Sequence, residues 1–116
     1  MAYQCLKLDY LELMAGGDAT DRRRLLEMLE KDLKHYPALM EETLNNKEWE
    51  KLERQAHYFK STVPFTGYDD LITIHQSAFQ ELQEGGNRER VSGLLKEVKE
   101  RCKEVITEVQ TELSKG

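Results

Sequence analysis

Apolar side chains return every three or four positions along most of this 116-residue chain, and turn-forming residues interrupt them at only four places. That spacing lines one face of an α-helix, whereas a half-buried strand needs strict alternation. The interruptions are Gly16-Gly17, Asn45-Asn46, Gly67 and Gly85-Gly86-Asn87. Gly and Pro total only nine residues, which leaves little turn material for a many-stranded sheet. The expected fold class is all-α.

Leu8, Leu11 and Met14 predict a short opening helix. Asp18 or Thr20 can cap the next one, in which Leu25, Leu29, Leu33, Tyr36, Met40 and Leu44 form a face. Pro37 lies inside it and removes an amide donor. The apolar phase runs through Pro37 unbroken, so a kinked but continuous helix is expected. Trp49, Leu52, Ala56, Phe59 and Val63 define a third helix, with Trp49 anchoring its core face. Pro64 should bend or end this helix near Val63. Leu71, Ile72, His75, Phe79 and Leu82 mark the fourth helix, and Val91 to Leu113 the last. Short links make neighbouring helices antiparallel. The architecture expected for residues 1–116 is one domain, an up-down-up-down four-helix bundle with a short extra N-terminal helix.

Composition narrows the function. A net charge of −5 disfavours a nucleic-acid binder, which needs a basic footprint. Two cysteines in so charged a chain suit a reducing compartment, and no apolar run exceeds three residues. A cytoplasmic protein that touches neither membrane nor nucleic acid is expected. Cys5, Cys102 and the three histidines lack metal-ligand spacing, so no metal site is expected. Cys102, on the apolar stripe of the last helix, is expected to be an inert core thiol. His75 likewise lies on an apolar stripe, where packing is its expected role.

His57 differs. With 49, 52, 56, 59 and 63 facing inward, the outward stripe is Glu50, Glu53, Arg54, His57, Lys60 and Ser61. His57 is expected mid-helix on a wet face, with Lys60 and Ser61 one turn away. An ordinary histidine titrates near pH 6.5, so a neutral nucleophilic ring is available at pH 7. A neighbouring lysine favours the neutral ring and offers a charge-assisted hydrogen bond to an attached phosphoryl group. Ser61 adds a neutral donor. The trio suits a group carrier, since neither a base nor a metal is in view to activate water. Periodicity alone favours an ordinary solvated histidine.

The stretch Ala56-His57-Tyr58-Phe59-Lys60-Ser61, followed by Gly67, resembles the signature of histidine phosphotransfer (HPt) domains. That family has Ala-His, a lysine three after the histidine, a small residue after the lysine and a glycine ten after the histidine. Leu8 to Asp18 is similar to the family's opening helix and Gly-Gly-Asp turn, and Asp32, Leu33 and Pro37 to its second helix. Ser61, where the family often has glycine, is a departure, as is Pro64. The resemblance implies a carrier in a multistep phosphorelay. His57 would accept a phosphoryl group on Nε2 from a phospho-aspartyl receiver domain and pass it to another. Lys60 and Ser61 would stabilise the phosphorylated state, and Ser61 and Gly67 would allow a partner's close approach. Arg54, Tyr58, Pro64 and Phe65 are candidates for receiver docking. Implied partners are response-regulator receivers and a hybrid sensor kinase. The chain would bind no cofactor, magnesium being supplied by the receiver, and would act as a free-standing monomeric shuttle without turnover of its own. The alternative is a helical adaptor, or a degenerate HPt-like domain that binds partners without phosphoryl transfer.

Overall fold

A computed structural model describes residues 3–115. It is all-helical: α1 (Asp9–Ala15), α2 (Ala19–Asn45), α3 (Trp49–Phe59), α4 (Asp69–Gln83) and α5 (Arg88–Ser114), with a 3-10 turn at Val63–Thr66. At 1.5 Å per residue the two 27-residue helices are each about 40 Å long, which sets the longest dimension of 42 Å.

The helix ends follow local chemistry. Gly16 closes α1 in the left-handed conformation. Asp18, not Thr20, caps α2 by accepting from the amides of Thr20 and Asp21, and Asn87 does the same for α5. Between α2 and α3 the left-handed residue is Lys47 rather than either asparagine. Helix α2 runs through the buried Pro37 without a break.

The start of α2 lies against the end of α5, where Arg22 meets Glu112 at 2.8 Å. The later turns of α2 lie against the first turns of α5, where Glu41 pairs with Lys99. These two helices are therefore antiparallel. Helix α3 packs on α2 and α4, and α4 on α3 and α5. Leu29, Leu52, Ala56, Phe59, Leu71, Ala78, Val98, Val105 and Val109 are sealed from solvent in the common core.

Two sequence expectations shift. In α1 the buried residues are Leu11 and Ala15, while Met14 is exposed. A seven-residue helix with apolar side chains at 10, 11, 13, 14 and 15 can bury only one face. Trp49 begins α3 half-buried, its ring under the Arg88 guanidinium at 4.5 Å, and the deep positions are Leu52, Ala56 and Phe59.

Residues 3–8, ahead of α1, form a strap across α5. Glu108 Oε1 accepts from the amides of Cys5 at 2.9 Å and Leu6 at 2.8 Å. Tyr3 donates its hydroxyl to Glu112 at 2.7 Å, and Leu6 is buried. The Lys7 amide donates to the Thr66 carbonyl at 2.9 Å, which ties the strap to the 3-10 turn.

Candidate functional site

Helix α3 sorts its residues sharply. Burial of Leu52, Ala56 and Phe59 turns Arg54, His57 and Tyr58 toward solvent. His57 is not mid-helix, however. Helix α3 closes at Phe59, with Lys60 as its C-cap, so His57 occupies the last turn. Pro64 explains the early end. It has no amide to bond the Lys60 carbonyl, and it disfavours helical geometry at Val63. The chain tightens instead, with the amides of Ser61 and Thr62 donating three residues back, to Tyr58 at 3.3 Å and Phe59 at 3.0 Å. Lys60 keeps helical dihedrals, so its i+3 relation to His57 survives.

Phe79 of α4 lies beneath this pair. The His57 ring is centred 5.8 Å from the Phe79 ring, and Lys60 Nζ is 5.4 Å from the same centroid. Arg54, His57 and Lys60 have no ion pair or side-chain hydrogen bond among the described residues. Ser61 differs, since its hydroxyl donates to the Tyr58 carbonyl at 2.8 Å and must leave that bond to serve any ligand.

Under the site is an aromatic layer. Tyr36 stacks on Phe59 at 5.2 Å, and Phe59 meets the edge of His75 at 5.3 Å. His75 is buried, and its Nε2 has no hydrogen-bond partner among the described residues. Burial, assisted by the positive charge of Lys60, pushes its pKa down to about 4. It is a neutral packing residue at pH 7. The last α3 turn is fastened from below by the buried Thr62, whose hydroxyl donates to Asp32 of α2 at 2.7 Å.

The other site residues divide. Tyr58 is 62 % exposed. Pro64 and Phe65 are half-buried, and the Phe65 ring rests on Tyr10 of α1 at 5.0 Å. Tyr10 and Leu13 of α1 are exposed apolar residues that sequence spacing did not single out, and Met14, which it placed on the core face, is exposed beside them in the same helix. Gly67 has an internal duty. It is left-handed at φ 61°, and a Cβ there would lie 2.6 Å from the Lys7 carbonyl oxygen. The glycine that the motif places ten after His57 is thus required by the strap.

Burial also raises the Cys102 thiol to about 12, so it is no nucleophile at neutral pH. Among the described residues no three His, Cys, Asp or Glu side chains gather to hold a metal ion, and no helix is long and apolar enough to cross a membrane.

In comparisons with known proteins, no family model matches the chain, and no curated protein matches it significantly.

Proposed function

We propose that this chain is a histidine phosphotransfer protein, its four long helices an up-down-up-down bundle with α1 laid alongside. The observation that carries the reading is the His57–Lys60 pair, exposed at the end of α3 and committed to no other polar group among the described residues. The lone pair of Nε2 forms the P–N bond as the acyl P–O bond of a receiver's phospho-aspartate breaks. The electron pair leaves with the carboxylate, and Nδ1 keeps its proton. The onward step reverses these bond changes on a second receiver. Little covalent chemistry is asked of the carrier beyond positioning and charge.

Lys60 has a specific burden. His57 sits in the last turn of α3, the negative end of the helix dipole, which opposes a phosphoryl group by about 0.3–1 kcal/mol. A charge-assisted hydrogen bond from the exposed ammonium contributes about 0.2–1 kcal/mol, enough to offset that opposition. Magnesium and the acidic pocket would come with the receiver. Tyr58, Phe65 and the exposed Tyr10, Leu13 and Met14 offer apolar surface for a receiver, with Arg54 at its charged margin. The hybrid sensor kinase would stand upstream.

The test is intact-mass measurement after incubation with phosphoramidate, beside His57→Gln. The donor's P–N bond breaks, and ammonia departs as the imidazole is phosphorylated. An acid-labile gain of one phosphoryl group in the parent alone is expected. Equal labelling of the two proteins, or none in either while an authentic HPt domain is labelled, would contradict the proposal.

A further inference from the structure

The geometry points to Phe79 as the positioning residue of the His57 site, holding the Lys60 ammonium ready beside the imidazole; the inference rests on His57 being the phosphoryl acceptor. Lys60 Nζ at 5.4 Å from the Phe79 centroid is within cation–π range. The His57 ring at 5.8 Å from the same centroid is within the range of aromatic pairs. One ring therefore touches both members of the pair. That ring is only 7 % exposed and packs in the core, so it is a fixed reference for two exposed side chains.

Lysine has a long flexible stem that costs rotamer entropy to order. The usual way to hold such a stem is a carboxylate. A carboxylate would offset the charge, occupy the N–H donors and repel an incoming phosphoryl group. The π face of Phe79 does none of these. It attracts the ammonium through the ring quadrupole and leaves its donors unspent. No carboxylate pairs with Lys60 among the described residues, so Phe79 is the contact that orders it.

Phe79→Leu keeps apolar bulk and removes the π face, while Phe79→Tyr keeps both. The rate of phosphoramidate labelling of His57 is measured in the parent and both variants, each also on a Lys60→Ala background. Phe79→Leu should label about threefold more slowly, Phe79→Tyr should match the parent, and Phe79→Leu should add nothing once Lys60 is alanine. In proton NMR of the unphosphorylated parent, the Lys60 ε-methylene should be shifted upfield by the ring. That shift should persist in Phe79→Tyr and vanish in Phe79→Leu. Equal slowing by Phe79→Leu with and without Lys60 would reduce Phe79 to packing and overturn the inference. So would an unshifted Lys60 ε-methylene in the parent. A parent that takes no label overturns the carrier reading itself, a result separable from either of these.

Discussion

Two charged regions of this molecule, the end of α5 and the end of α3, treat their side chains in opposite ways. Along the end of α5, carboxylates are spent on structure: Glu108 on two strap amides, Glu112 on Tyr3 and Arg22, and Glu104 on Tyr68. The hydrogen bonds from Arg22 and Tyr3 hold the Glu112 carboxyl below its ordinary pKa, despite some burial that opposes them. At the end of α3, Arg54, His57 and Lys60 are exposed and unspent, over a floor whose polar group, His75, is kept neutral by burial. A polar group satisfied internally supports the fold. One left free on a well-packed helix is available to a partner. The difference separates charge spent on the fold from charge left unspent, without appeal to residue type.

Four tests probe this contrast, from the largest expected effect to the smallest. The first concerns His75. Its folded pKa, about 4, lies below the ordinary 6.5, so between these values the unfolded chain binds a proton that the folded chain does not. Stability is therefore lost as pH falls from about 6.5 to about 4, by roughly 3 kcal/mol in all. Urea unfolding of the parent and His75→Leu at several pH values should show this component only in the parent. Identical pH slopes would mean that the floor of the site is wetter than described.

Gly67→Ala comes second. It places a Cβ in a left-handed position and against Lys7, and should cost about 2 kcal/mol or more in a thermal or urea melt. A variant as stable as the parent would free Gly67 from the strap and return it to a purely partner-facing role. Third, Glu108→Gln weakens the acceptor of two strap amides and should cost about 1–2 kcal/mol. Loss of protection of the Cys5 and Leu6 amides in hydrogen exchange would locate that cost. Last, His57→Gln and Lys60→Ala should each change stability by no more than about 0.5 kcal/mol. A larger loss from either would move that residue to the structural side of the comparison.

The helices were legible because burial of one face imposes its period on the sequence, and Leu52, Ala56 and Phe59 alone turn His57 outward. The end of α3 was less so, because Pro64 acts backward through an amide it lacks, four residues from its own position. The strap was invisible to periodicity. It has no repeat, and its bonds reach Glu108 and Glu112, about a hundred positions away. Phe79 was legible as an apolar stripe residue and illegible as a floor for His57 and Lys60. Spacing reports that a side chain is buried, not which residues of another helix lie on it. Met14 read as a core position because apolar spacing alone does not reveal which of two faces a short helix exposes.

His35 supplies the most direct test, since it too is exposed on a helix, in a T-shaped contact with Tyr36, but among the described residues no lysine shares that ring with it. The parent is treated with phosphoramidate, and phosphohistidine is mapped by peptide mass spectrometry under alkaline conditions, where the label persists. Label on the His57 peptide, at least about tenfold above the His35 peptide and absent from the His75 peptide, is the result expected if the built surroundings of His57 make it the acceptor, tenfold being about 1.4 kcal/mol of transition-state preference. Equal label on His35 and His57 would show that exposure alone governs reactivity and would contradict the assignment of His57 as a phosphoryl carrier.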